Sequence, residues 1–300
     1  MTRVVEIPTS FDDRAMDQFA ANIGPWPAEG RLLFDARAST WASPYGLIAM
    51  LTAGQALMES GAEKPLFTVP ASADVAGYWA RMQFFEHAAE FFELHGKVPR
   101  ARSGGSDALL ETTHVRAAED VHGAVERVAN GATRILVNDL GLQSTAAMGF
   151  SMALSEACQN IVEHAGTSGW VAAQAYTYRR RLGGRRVVVI AVSDGGVGFR
   201  RTLEAQQGRK YGDRWRDGTA IESALVHAVS RFRDPGRGQG LGFIRKFVSR
   251  WDGKISVRSG TARLALVPGW DDEEPLAEQL PHFPGAQVQV TIPGTVTASA

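Results

Sequence analysis

The spacing of apolar and polar residues changes several times along the chain, and each change marks a predicted element. Arg31-Leu-Leu-Phe-Asp35-Ala36 is a short apolar run ending on an acid, which predicts a strand. Tyr45 to Glu59 spaces its apolar residues as a helix does and stops at Ser60-Gly61, a C-terminal cap signal. Lys64 to Pro70 reads as a strand bounded by prolines, and Ala73 to Met82 as a second helix. Strands alternating with helices predict βαβ units, so residues 1–97 form a small α/β domain. Residues 98–112, with Gly and Ser clustered at Ser103-Gly-Gly-Ser106, read as a linker.

Beyond the linker the pattern changes. Ala117 to about Leu136 predicts a helix with Val121, Val125, Val128, Ile135 and Leu136 turned inward. Leu142-Gln-Ser144 supplies a cap, and Thr145 to Ala165 predicts a longer helix. Trp170 to Arg180 and Arg185 to Ser193 flank Leu182-Gly183-Gly184, the signature of a β-hairpin. Phe199 to Asp217 is rich in Gly, Arg and Asp without clear period and predicts a mobile loop. Helices follow at Thr219–Ser230 and Phe243–Trp251, and strands at Gly253–Arg258, Ala262–Val267 and Ala286–Ile292. The expected architecture for 113–295 is helices on one face of a mixed, mostly antiparallel sheet, with 296–300 a disordered tail. The chain as a whole is α/β.

Composition narrows the classes. Of 300 residues, 44% are hydrophobic and 21% charged, the proportions of a soluble globular protein. Lys+Arg and Asp+Glu both total 32, so no bulk charge argues for nucleic acid or an anionic membrane. The single cysteine, Cys158, leaves no intrachain disulfide and no clustered-cysteine metal site. Residues 1–10 lack the apolar stretch of a signal peptide, and no window approaches the roughly 20 apolar residues of a membrane span. A cytoplasmic protein is expected.

Three short segments carry candidate chemistry. Glu156, Asn160 and His164 stand at i, i+4 and i+8, a spacing that drifts only about 40° per step on an α-helix. An acid, an amide and an imidazole on one face can activate water, hold a hard cation such as Mg²⁺ and hydrogen-bond phosphate. The same stripe is also what a solvated helix face looks like. Asp194 ends the apolar run Val187-Val-Val-Ile-Ala-Val192 and is followed by Gly195, Gly196 and Gly198. A carboxylate there can accept the exocyclic amine of adenine, or it can belong to a plain Asp-Gly turn. Gly236, Gly238, Gly240 and Gly242 precede Phe243-Ile-Arg-Lys-Phe-Val248, where backbone amides and a helix dipole form an anion site. A flexible linker would read the same way. The densest basic run, Arg179 to Arg186, reads as a hairpin tip with solvated arginines, and Trp215, Arg231 and Arg233 as lid packing and surface charge.

Taken together and in this order, the segments resemble the motifs of the GHKL superfamily, the Bergerat-fold ATPases that include sensor histidine kinases and anti-sigma-factor serine kinases. The resemblance covers about Ala117 to Pro293. It implies a Bergerat-fold α/β sandwich that binds ATP with Mg²⁺. By that likeness Glu156-x-x-x-Asn160 is the N box, Asp194-x-Gly196-x-Gly198 the first glycine box, and Gly238-x-Gly240-Leu241-Gly242 the second. Asn160 would then coordinate Mg²⁺, Asp194 would read adenine, Gly238, Gly240, Leu241 and Gly242 would wrap the phosphates, and Glu156 would be the general base. His164 would contribute to the cofactor site, and Phe199 to Arg237 would be the ATP lid. The chain departs from the family at Ala286, where many members carry a threonine that supports the adenine-reading acid. His114 and His122 lack the acceptor-histidine context of sensor kinases, so self-phosphorylation on histidine is not expected.

The first domain resembles a STAS-like domain, with Ser43-Pro44-Tyr45-Gly46-Leu47 opening its helix. Tyr45 and Pro44 occupy the two serine positions of anti-sigma-factor antagonists, so a docking or sensing unit is expected rather than a phosphoacceptor. The combined likeness implies an ATP-binding regulatory protein that switches a protein partner, a STAS-domain or sigma-factor-like regulator, with a homodimer among the assemblies considered. The alternatives are an anti-sigma-type serine/threonine kinase or ATPase, and an interaction module with a vestigial pocket.

Overall fold

The computed structural model describes residues 2–26, 28–100, 108–179, 181–227, 229 and 240–295. The first unit contains β1 (Thr2–Glu6), β2 (Ser10–Phe11), α1 (Met16–Ile23), β3 (Arg31–Asp35), β4 (Trp41–Ala42), α2 (Pro44–Glu59), β5 (Leu66–Thr68), α3 (Ala73–Arg81), α4 (Phe84–Phe91) and β6 (Glu93–His95). Strands β1, β3, β5 and β6 lie in that order in a parallel sheet, as βαβ connections require. The α2 helix starts where Ser43 Oγ accepts the Gly46 N–H at 3.2 Å and Pro44 fills the first turn. Every residue from Pro44 to Leu57 is buried. A helix apolar on all sides needs cover on all sides. Here the N-terminal sheet covers one side and the second unit's sheet the other.

The second unit contains β7 (Ala108–Val115), α5 (Ala118–Thr133), α6 (Ser144–Asn160), β8 (Gly169–Tyr178), β9 (Arg185–Asp194), α7 (Gly198–Tyr211), α8 (Asp217–Leu225), α9 (Gly240–Arg250), β10 (Lys254–Gly260), β11 (Ala262–Leu266), β12 (Leu276–Ala277) and β13 (Phe283–Pro293). Its seven strands run β12-β11-β10-β13-β9-β8-β7. Each neighbouring pair is antiparallel, so the sheet is not mixed as expected. Period-2 alternation splits the strands between two cores. Val171, Ala173, Val188, Ile190 and Val192 face the helical core with α6, α8 and α9. Trp170, Ala172, Ala191 and Phe283 join the core of the N-terminal unit, where α2 packs on β8 and β9. Burial on both faces is why Val187 to Val192 is an unbroken apolar run.

Buried charge completes the joint. Lys254 on β10, 2% exposed, meets Asp13 of the N-terminal unit at 3.2 Å, Asp271 at 3.3 Å and Glu273. Arg258 reaches Asp17 at 3.2 Å, and Arg14 reaches Asp271 at 2.7 Å. With these partners the buried cations are compensated, which is the condition for keeping them in a low-dielectric interior.

Several expectations need correction. Phe199–Asp217 is not a loop: it forms α7 and a 3₁₀ turn at Gly212–Arg214. Only Leu203 of α7 is buried, so the helix lies on the surface and carries no apolar period for sequence reading to detect. Trp215 is buried and stacks on Tyr211 at 5.7 Å. The segment read as a linker runs into β7, an edge strand of the sheet whose Thr112 backbone N–H binds the Met82 carbonyl at 3.1 Å. Ser144 opens α6 as a helical residue, and Gln143 is the N-cap, without a side-chain bond. Gly240 and Gly242 lie in the first turn of α9 rather than before it. Gly236, Gly238, Arg231, Arg233, residues 101–107 of the linker and the 296–300 tail lie outside the described residues.

Candidate functional site

The α6 helix carries Glu156 and Asn160, both half-buried, to its C-terminal end. The chain then widens into a π-helical turn at Ile161–Ala165. His164 stands in this turn, whose hydrogen bonds close at i+5. His164 Nε2 lies 4.0 Å from Glu163 Oε2. Glu163 is the polar neighbour that sequence reading missed. Its Oε1 accepts from Gln159 Nε2 at 2.9 Å. Burial, and then the charge of Glu163, push the Glu156 carboxyl above its ordinary value. The signal was available: Glu163 stands three residues after Asn160, one helical turn on.

Asp194 is the last residue of β9, with Gly169 and Ala286 as its register partners on the two sides. It is 7% exposed, and burial pushes its carboxyl up to about 6 against the opposing pull of the Gly196 and Ala286 backbone amides. The Gly196 N–H reaches Oδ1 at 2.9 Å. At Ala286 the main chain supports the carboxylate. Gln287, fully buried, donates to the carbonyls of Asp194 at 3.2 Å and Pro284 at 2.9 Å, which fixes the backbone behind the acid. This residue, too, was invisible in the sequence.

The Asn160 helix and the Asp194 loop touch. The Val197 N–H donates to the Ala165 carbonyl at 3.0 Å, and a Cβ on Gly196 would lie 2.0 Å from that same oxygen. Glycine at 196 is therefore required by the close backbone approach. The α9 helix packs on α6, where a Cβ on Gly149 would lie 2.6 Å from the Phe247 ring. Leu241 is buried in the helical core with Ala157, Cys158 and Ile244. Cys158 is fully enclosed, and burial pushes its thiol up to about 12, so it is core and not chemistry.

A cavity of about 770 Å³ opens at the seam of the two units, among Glu59, Thr167, Gly196, Arg200, Asp217 and His282. Of the candidate residues Gly196 and Gly198 line it, and Glu156, Asn160, His164, Asp194 and Leu241 do not. Among the described residues no helix is long and apolar enough to cross a membrane, and no cluster of three His, Cys, Asp or Glu side chains could hold a metal ion. A divalent cation here would need oxygen from Asn160, from carboxylates in pairs and from phosphate, the donor set that suits Mg²⁺. The half-buried Glu156 close to Glu163 fits such a cation, which would offset their mutual repulsion.

A search of curated proteins found no match. A family model described as the histidine kinase-like ATPase domain matches residues 118–264. That span runs from the first turn of α5 into β11 and includes Glu156, Asn160, Asp194 and Gly240 to Gly242. Over these residues the chain is similar to the histidine kinase-like ATPase domain.

Proposed function

We propose that the chain is an ATP-binding regulatory protein of the GHKL type, with the nucleotide between the Asn160 helix, the Asp194 loop and the start of α9. The observation that carries this reading is the Asp194 carboxylate. It is buried at a strand end and held from behind by two backbone amides, within the segment that matches the family. An acceptor fixed this way suits the exocyclic amine of adenine, since a buried site built for one donor rejects a base that lacks it.

Asn160 would hold Mg²⁺ through its side-chain oxygen, and the amides of Gly240, Leu241 and Gly242 at the N-terminus of α9 would meet phosphate. Bound Mg²⁺ would supply charge neutralisation between the phosphates. His164 would serve from the rim of the site, next to Glu163. The bound or empty state of this site sets the affinity for a protein partner, a STAS-domain or sigma-factor-like regulator. The N-terminal unit, read as STAS-like, acts as a fixed docking or sensing unit. Its Tyr45 is 3% exposed, so the position equivalent to a phosphoacceptor is closed to a kinase.

Calorimetric titration of MgATP into the full chain and into Asp194→Ala tests the assignment. Loss of a hydrogen bond to a charged group, about 1.5–3 kcal/mol, predicts roughly 10- to 100-fold weaker binding in the variant. Equal affinity in both proteins would remove the adenine assignment.

One observation favours turnover as a second reading. The raised Glu156 carboxyl is suited to take a proton from water or from a hydroxyl acceptor, as in an ATPase or a serine/threonine kinase. Glu156→Gln then abolishes phosphate release while MgATP binding persists. No phosphate release from wild type leaves the binding reading alone.

A further inference from the structure

The apolar helix α2 carries one polar stripe, Thr52, Gln55 and Glu59, at i, i+3 and i+7. Each member of the stripe meets a segment that flanks the nucleotide site. Thr52 Oγ1 and Ser193 Oγ lie 2.8 Å apart, both buried, directly before Asp194. Ala56, one turn on, lies 3.1 Å from where a Cβ of Gly195 would stand, directly after Asp194. Gln55 is 3% exposed and uses both ends of its amide. Its Oε1 accepts the indole N–H of Trp170 at 2.8 Å, and its Nε2 donates to Ser168 Oγ at 2.9 Å and the Ser168 carbonyl at 3.1 Å. Glu59 accepts from Thr167 Oγ1 at 2.7 Å and from Gln55 Nε2 at 2.8 Å. Thr167 and Ser168 connect the π turn after Asn160 to β8, whose Gly169 pairs with Asp194.

Core packing alone does not call for an amide here, because a buried polar group costs stability unless every bond is met. Apart from the Gln55–Glu59 bond within the stripe, the bonds made go to Thr167–Trp170, which leads from the Asn160 helix into β8, and to Ser193 beside Asp194. We infer that α2 is a positioning element of the nucleotide site. Thr52 and Gln55 are positioning residues that fix the Asp194 carboxylate relative to the Asn160 helix. The same bonds give the N-terminal unit a direct mechanical reading of whether the site is filled, through Trp170 and Gln55. This inference rests on the ATP reading above.

The test uses the full chain with Gln55→Met and Thr52→Val, near-isosteric changes that remove only hydrogen bonds. Thermal unfolding checks the fold, MgATP and MgGTP titrations give the discrimination between bases, and the indole N–H resonance of Trp170, assigned with Trp170→Phe, reports on the network. In wild type the Trp170 resonance shifts when MgATP is added. Each variant weakens MgATP about tenfold, leaves MgGTP binding unchanged and so lowers the ATP/GTP ratio. Should Gln55→Met not fold, Thr52→Val carries the test. A lowered unfolding temperature with wild-type affinity and discrimination would mean a merely structural stripe and overturn the inference. If wild type binds MgATP, Asp194→Ala does not, and both α2 variants match wild type, the positioning role alone falls. If wild type binds no nucleotide, both readings fall.

Discussion

Val197 donates its backbone N–H to the Ala165 carbonyl at 3.0 Å, which makes the end of the Asn160 helix and the loop after Asp194 one piece of backbone. Nothing larger than hydrogen fits at Gly196 beside that bond, because a Cβ would approach the same carbonyl oxygen to 2.0 Å. Gly196→Ala must push the two segments apart. The expected cost is about 1–3 kcal/mol of stability, as for other overpacked sites, read from urea unfolding. Nucleotide affinity falls with it, since the two halves of the site move relative to each other.

The Asp194 carboxyl sits at about 6 in the folded chain against 3.8 for the free side chain. The folded state therefore holds its proton more tightly than the unfolded state between those values. Its effect on stability is most favourable below pH 4 and declines as pH rises through 6. At the proposed adenine site recognition would run the other way, because the ionised carboxylate is the better acceptor. MgATP affinity is expected to fall as pH drops below 6, and Asp194→Asn to lose that component of the pH profile. Parallel calorimetric pH series of the two proteins, which share the titration of the nucleotide itself, separate the contribution.

Lys254 is the cation at the centre of Asp13, Asp271 and Glu273. Burial alone would raise Asp271, but Lys254 and the surrounding donors hold it below its ordinary value. Asp271 thus stabilises the native chain above pH 3.8, and the contribution disappears as pH falls through its depressed value. Lys254→Met leaves three carboxylates without their central cation, at a cost of about 3–5 kcal/mol near neutrality. The sign of the pH dependence reverses in the variant. Its stability rises as pH falls from 7 to 5, which chemical denaturation at several pH values measures directly.

Cys158 has its thiol buried and pushed up to about 12. A thiol-reactive chromogenic disulfide is expected to leave the native chain unmodified and to react only at the rate of unfolding. Labelling progress with and without urea checks this. Fast labelling of native protein would contradict the burial of the α6 inner face.

Much of the fold could be read from residues whose pattern had one explanation. The Tyr45–Glu59 helix and the hairpin around Gly183-Gly184 stand within two residues of expectation, because the apolar spacing and the turn glycines agree. The α7 helix could not be read: its glycines at 198 and 212 mimic loop punctuation and only Leu203 is buried. Strand β1, exposed except at Val5, offers no alternation to detect. Within the candidate site, Asp194 was legible from the strand it ends. The π turn at Ile161–Ala165, which holds His164, was not. The parts played by Gln287, Gln55 and Thr52 depend on contacts across 93 to 141 residues of sequence, where no local pattern points.

The placement of α2 between two sheets has a consequence for how this protein can be divided. A fragment starting at residue 118, where the family likeness starts, would strip Trp170, Ala172, Ala191 and Phe283 of their cover and lose the edge strand β7. The half that carries the family likeness is thus not a transplantable part. Grafts, truncations and chimaeras that respect the sequence boundary would cut through the middle of a shared interior.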